Sequence, residues 1–112
     1  MSGDERREHK RLPVKLWVDE THESNTYFQR AANLSVGGMF LEGTIPHPPG
    51  TIVHLRFSLP DDDEPIEVRA EVVGDSTDHL GMSVKFLDVE FNGELKRRLE
   101  AFLDRAGTRR GF

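Results

Sequence analysis

The sequence predicts a mainly β protein, a closed or nearly closed antiparallel β-barrel followed by a C-terminal α-helix. Apolar and polar residues alternate with a period of two in several short segments, and turn-forming residues separate these segments. No segment between the predicted strands has the apolar period of a helix, so the sequence lacks the helical crossover connections that a parallel sheet needs. Short antiparallel strands at near-regular spacing are typical of a barrel.

The first half of the chain contains three strand candidates. Leu12, Val14, Leu16 and Val18 alternate with polar residues and Trp17, which predicts a half-buried strand with Trp17 on its polar side. The polar stretch 19–25 predicts a turn. Two further strands are predicted at residues 27–34 and 39–41, separated by the pair Gly37-Gly38.

The second half begins with a proline-rich connection at residues 45–50, which cannot form a helix or a central strand because proline lacks a backbone donor. An acidic loop is expected at residues 60–65, and a turn at residues 74–78. Strands are predicted at residues 53–59, 66–72 and 80–86. His54 alternates with core positions, so we expect it to face solvent.

The apolar period then changes to that of a helix, which could lie as a lid on an open end of the sheet. Asn92 is suited to cap its N-terminus and Gly107 to end it. One helical face is predicted from Phe91, Leu95, Leu99, Phe102 and Leu103.

Composition excludes several classes of protein. The chain of 112 residues fits one domain, and its 36% apolar and 31% charged residues are those of a globular protein. It has no cysteine, no secretory signal and no apolar run that would span a membrane, so we expect a cytoplasmic protein without membrane insertion. A net charge of −5 argues against binding of a nucleic acid polymer. A single-stranded nucleic-acid-binding barrel would also need more exposed aromatic residues than Trp17 and Tyr27.

An arginine motif precedes the first strand. Arg7 and Arg11 form an RxxxR pattern, and Arg6 adds a third arginine. The guanidinium group presents a planar fork of donors that matches phosphate oxygens or the O6/N7 edge of guanine, and it can stack on a purine. Alone, such an arm is more often a solvated tail than a binding site.

A second motif, NxSxxG, follows the second strand. Asn33 can donate and accept together, and Ser35 can donate to a ligand. If Leu34 points into the core, Asn33 and Ser35 both face outward. Gly38, with Gly37 before it, permits positive φ and a close approach of the backbone to a ligand. Alone, this pattern is more often a strand end and a tight turn, so the hypothesis of a site depends on the two motifs together.

In the order of these motifs, and in the strand Gly-Met-Ser-Val-Lys-Phe at residues 81–86, the sequence resembles the PilZ domain, a bacterial receptor module for cyclic di-GMP. The resemblance spans roughly residues 6–103. It implies a six-stranded antiparallel β-barrel with a C-terminal helix, in which the arginine arm wraps the ligand against the second motif. The ligand-binding residues that it implies are Arg6, Arg7, Arg11, Asn33, Ser35, Gly37 and Gly38.

We therefore predict a cyclic di-GMP receptor without catalytic activity, whose arm becomes ordered on binding and which signals to a separate, unidentified effector protein. The predicted divisions are an arm at residues 1–11, a barrel with its helix at residues 12–106, and a loose tail at residues 107–112. The alternative is a non-binding adaptor of the same fold that acts through protein contacts alone.

No other pattern in the sequence indicates a chemical site. The histidines share no close metal-ligand spacing, so no metal and no cofactor are expected. The acidic run at residues 61–64 is more often a solvated loop than a magnesium site. Ser35 has no neighbouring base, and no catalytic triad or phosphate loop is present.

Overall fold

The computed structural model of the protein describes residues 11–43, 46–60, 62–75 and 81–110. Within this part of the chain, six strands are followed by a 3₁₀ turn at Val89–Phe91 and by one α-helix. The strands are β1 (Leu12–His22), β2 (Asn25–Leu34), β3 (Gly38–Glu42), β4 (Ile52–Phe57), β5 (Ile66–Asp75) and β6 (Gly81–Phe86), and the helix α1 is Gly93–Arg110.

All neighbouring strands are antiparallel, in the order β1-β2-β3-β6-β5-β4, and β4 pairs again with β1 to close the barrel. The predicted antiparallel β-barrel with a C-terminal helix is therefore confirmed. Because the barrel is closed, each described strand is paired on both sides over at least part of its length.

The alternation in the sequence sets which side chains enter the core. On β4, for example, Val53, Leu55 and Phe57 are buried, while His54 and Arg56 are exposed, as predicted. The same period on the other strands fills the barrel with aliphatic side chains, and Phe57 and Phe86 stack with their ring centroids 6.3 Å apart. Each fully buried Val or Leu contributes about 1.5–3 kcal/mol through the hydrophobic effect.

Parts of two predicted turns belong to strands instead. Residues 19–22 continue β1 instead of forming a turn, and the chain reverses at Glu23, which has a positive φ of 57°. Residues 74–75 likewise continue β5, and a bulge near Gly74 shifts its register with β6. In both cases the backbone pairs with a neighbouring strand, and this pairing outweighs the local preference of polar residues for turns.

Helix α1 packs its apolar side against the barrel. Leu95, Leu99, Phe102 and Leu103 belong to the same buried cluster as the inward residues of the strands. Asn92 is the predicted N-cap, since its Oδ1 accepts a hydrogen bond of 3.1 Å from the Leu95 backbone N–H. Two details of the prediction are wrong. Phe91 lies before the helix and is 89% exposed, and the helix continues past Gly107 to Arg110.

An ion pair fixes the connection between β6 and the helix. The Arg69 side chain donates to Asp88 Oδ1 at 3.0 Å, and the Arg69 backbone N–H donates to Asp88 Oδ2 at 3.0 Å. The side-chain bond from Arg69, followed by the backbone bond, lowers the pKa of Asp88 below its ordinary value of 3.8. The helix is thereby tied to β5 just before it begins.

A second polar contact holds the acidic loop against the helix. Arg98 Nη2 donates to Asp62 Oδ2 at 2.8 Å and also bonds the backbone carbonyl of Glu64. A hydrogen bond from the Glu64 backbone N–H and the contact with Arg98 lower the pKa of Asp62.

None of the helices in the described ranges is both long and apolar enough to cross a membrane.

Candidate functional site

Pairing of β1 with β2 brings the two sequence motifs together. Arg11 stands immediately before β1, and Asn33 lies near the end of β2, where it pairs in register with Pro13. Arg11 Nη1 donates a hydrogen bond of 3.2 Å to Asn33 Oδ1 across 22 positions of sequence. The structure therefore places one arginine of the first motif in direct contact with the first residue of the second motif.

The acceptor in this contact is a neutral amide. An amide oxygen orients the guanidinium of Arg11 without neutralising its charge, whereas a carboxylate at position 33 would form an ion pair with it. Among the described residues no carboxylate pairs with Arg11, which is exposed. The contact with Asn33 thus holds the guanidinium of Arg11 in place.

The segment between β2 and β3 is a tight turn built on the Ser35 hydroxyl. Ser35 Oγ accepts hydrogen bonds from the backbone N–H groups of Gly37 at 3.2 Å and Gly38 at 3.1 Å. The Ser35 backbone N–H donates to Gly38 O at 2.8 Å, and the hydroxyl also lies 3.3 Å from that oxygen. These short-range bonds satisfy the hydroxyl inside the turn.

The predicted outward orientation of Ser35 is wrong. Leu34 is fully buried, as expected, but Ser35 is only 4% exposed, whereas Asn33 is half-buried. The hydroxyl of Ser35 shapes the loop that follows Asn33. Its role as a direct ligand contact stays a prediction.

The reason for glycine at position 38 also differs from the one predicted. Neither Gly37 nor Gly38 has a positive φ; the glycines that do, within the described ranges, are Gly43, Gly50 and Gly81. Instead, a Cβ at position 38 would lie 2.1 Å from the carbonyl oxygen of Val84 on β6. Glycine is required here because the β6 backbone approaches too closely for any side chain.

Arg6 and Arg7 lie outside the described residues, as do residues 1–10 of the predicted arm at residues 1–11. The structure therefore brings together Arg11, Asn33 and the turn of Ser35, Gly37 and Gly38. The roles assigned to Arg6 and Arg7 stay predictions.

A buried polar cluster lies farther along β1, and sequence reasoning missed it. Glu20 is 0% exposed; its Oε1 accepts from Gln29 Nε2 at 2.9 Å, and its Oε2 lies 2.8 Å from His47 Nε2. The ring of His22 is close to that of His47, with 4.8 Å between centroids. The alternation that turns Leu16 and Val18 inward continues to Glu20, and this pattern in the sequence indicates that Glu20 is buried.

The described chain contains no group of three or more metal-ligating side chains.

The fold and these contacts together define a closed six-stranded antiparallel barrel with a C-terminal helix and an arginine held beside the end of β2. The family model of the PilZ domain matches residues 5–105 of the sequence, which is most of the chain. The chain belongs to the PilZ domain family, and the resemblance expected from its motifs is confirmed.

Two solved structures share this fold. The structure of the Bacillus subtilis inhibitor of motility (MotI/DgrA) has a TM-score of 0.77 and 19% identity, with 93% of this chain and 52% of that chain covered. This chain therefore spans about half the length of that protein. The PilZ domain of YcgR from Escherichia coli, solved with c-di-GMP, has a TM-score of 0.69 and 18% identity, and the match covers 95% of this chain and 98% of that domain. No curated protein matches this sequence.

Proposed function

We propose that this chain is a receptor for cyclic di-GMP that acts without catalysis. The observation that carries the proposal is the hydrogen bond of 3.2 Å between Arg11 Nη1 and Asn33 Oδ1, because it joins the two motifs at one place on the barrel. Membership of the PilZ family supports the choice of ligand, as does the fold shared with a YcgR domain solved with c-di-GMP.

The chemistry of the described residues suits a guanine-containing phosphodiester. The guanidinium of Arg11 offers a planar set of donors to a phosphate or to the guanine edge. Asn33 offers both an acceptor and two donors, and it is partly accessible beside Arg11. In the turn after it, Gly37 is partly accessible and has no side chain, so a flat ligand can lie close to the backbone there.

In this proposal the remaining arginines, Arg6 and Arg7, complete the site from the arm. Binding of the ligand orders residues 1–11 against Asn33 and the turn, and charge-assisted contacts offset the entropy lost by the arm. The ordered arm, the nucleotide and the adjacent barrel surface then form a new surface. A separate effector protein recognises this surface and carries the signal further.

Isothermal titration calorimetry with cyclic di-GMP tests the proposal. Arg11→Ala and Arg7→Ala should each weaken binding at least roughly tenfold, because a lost charge-assisted contact costs about 1.5–3 kcal/mol. Asn33→Ala should weaken binding as well, since it removes the group that orients Arg11. Arg6→Ala should cost less.

Arg97→Ala is the matched control, because Arg97 is an exposed arginine on α1, outside both motifs. Its affinity should equal that of the parent protein, which separates local contacts from the change in net charge. Unchanged affinity in both Arg7→Ala and Arg11→Ala would reject the site. The absence of any heat with the parent protein, together with a stable complex in a pull-down, would instead favour the non-binding adaptor.

A further inference from the structure

The outer surface of β1, β2 and β3 carries an unusual concentration of exposed aromatic rings. Trp17 is 67% exposed and Phe28 is 78% exposed, and Phe40 on β3 is half-buried beside them. We call this surface the Trp17 face and define it by Trp17, Phe28, Arg30, Phe40 and Glu42. Exposed clusters of large apolar side chains usually mark a site of interaction, because they are costly to leave in water.

The register of the strands aligns this face into a row. Trp17 on β1 pairs with Arg30 on β2, which pairs with Glu42 on β3. Arg30 Nε is 2.6 Å from Glu42 Oε2, so a cation and an anion sit side by side in the middle of the face. Tryptophan and arginine are the residue types that contribute most often to the energy of protein interfaces.

Trp17 stands between two hollows. One hollow of about 710 Å³ is lined by Phe28, Arg30, Phe40 and Glu42, and the other, of about 450 Å³, is lined by Lys15, Asp19 and Arg56. The face thus presents a protruding ring next to spaces that can receive a ring. The exposed positions of this face are outward side chains of paired strands, so contact at this surface is made by side chains.

Charge on and around this face is balanced. Arg30 is paired with Glu42, Arg56 Nε lies 3.5 Å from Glu67 Oε2, and Lys15 shares the outer side of β1 with Asp19. The whole chain carries a net charge of −5, so two copies repel each other over most of their surface. A neutral aromatic face is where two copies can approach each other without that repulsion.

We propose that the Trp17 face is a self-association surface and that its partner is a second copy of this chain. A twofold axis places the same patch against itself, and such an interface needs a protrusion beside a hollow and charges of both signs. The Trp17 face has both. Trp17 of each copy enters a hollow of the other, and the Arg30–Glu42 pairs meet across the axis. This association requires no nucleotide, so it is independent of the proposed function.

Trp17 is also the only tryptophan in the chain, and its fluorescence therefore reports on this face directly. On dilution of the protein from about 100 μM to about 1 μM, a concentration range that brackets a micromolar dissociation constant, the emission should shift to longer wavelength as the ring becomes exposed to water. Light scattering over the same range should show the molar mass falling from that of two chains to that of one.

Trp17→Glu should raise the dissociation constant of the dimer at least about tenfold, since it removes a central aromatic anchor and places a charge in the interface. Phe91→Glu is the matched control, because Phe91 is an exposed aromatic residue outside the Trp17 face, and the same charge is introduced. Circular dichroism checks that both variants are folded. A single-chain mass at about 100 μM, a dimer unaffected by Trp17→Glu, or equal loss of the dimer in both variants would each overturn the proposal.

Discussion

Replacement of Gly38 by alanine should break the pairing of β3 with β6. A Cβ at this position would lie 2.1 Å from Val84 O, and ordinary contacts begin at 3.4 Å, which is 1.3 Å farther away. The obstacle is a backbone carbonyl in a paired strand, so it cannot move aside by rotating a side chain. The end of β6 must therefore retreat from β3 by a distance of about 1 Å or more.

The expected cost follows from the contacts at this end of the two strands. Gly38 pairs with Lys85, and the Phe86 backbone N–H donates to Gly37 O at 2.8 Å. A retreat of about 1 Å lengthens the bond from the Phe86 N–H to Gly37 O beyond hydrogen-bond range, and its loss costs about 0.5–1.5 kcal/mol. Overpacking adds about 1–3 kcal/mol. We expect Gly38→Ala to lower the free energy of unfolding by about 1.5–4.5 kcal/mol in total.

Urea unfolding followed by circular dichroism measures this loss. Gly74→Ala is the control, because Gly74 also lies in a strand but a Cβ there would meet nothing within 4 Å. Alanine at position 74 should leave the stability unchanged or raise it by up to about 1 kcal/mol. If Gly38→Ala unfolds within about 0.5 kcal/mol of the parent protein, the argument from close strand approach is wrong.

Three other substitutions test further parts of the structure. Ser35→Ala should destabilise the protein by about 1–3 kcal/mol, since it leaves two backbone N–H groups of the turn without their acceptor; urea unfolding would show no change if the hydroxyl were dispensable. Asn92→Ala should lower stability by about 1 kcal/mol through loss of the cap, and thermal melts that coincide with the parent would contradict this. Asp88→Asn should lower the melting temperature at pH 7. Because folding lowers the pKa of Asp88, this carboxylate stabilises the folded protein at neutral pH, and the stabilisation is lost as the pH falls through values below 3.8. The melting temperatures of parent and variant should therefore converge in acid. A constant difference in melting temperature across pH would refute this linkage.

The sequence was most informative where local pattern and burial agree. The alternation of Val53, Leu55 and Phe57 predicts β4 correctly because each inward position is apolar. The helix was found for the same reason, from the period of Leu95, Leu99 and Leu103. In these segments the hydrophobic pattern alone decides which face enters the core.

The prediction failed where distant partners decide the structure. Residues 19–22 are polar and indicate a turn, but Glu20 enters the barrel because Gln29 and His47 supply its hydrogen bonds. No local pattern identifies His47, which lies 27 positions away. Similarly, Gly107 does not end α1, although a glycine there locally favours a stop.

The candidate site shows the same division. The structure brings Arg11 of the first motif into contact with Asn33 of the second, because the pairing of two consecutive strands joins their ends, and the role of both residues in binding stays a prediction. The motifs did not reveal that Ser35 turns inward or that Gly38 is dictated by β6, since both depend on contacts made after the turn closes. Residue types therefore indicated which residues lie together more reliably than how each of them is oriented.

The buried side chain of Glu20 also fixes the register of the first hairpin, which is formed by β1 and β2. A slip of one residue between β1 and β2 would turn every side chain of β1 to the opposite face. Trp17 would enter the barrel, and Glu20 would leave the amide of Gln29 and the ring of His47 without their shared acceptor. Misaligned hairpins are thus penalised twice during folding, so a buried polar side chain selects the single pairing that sets Arg11 beside Asn33.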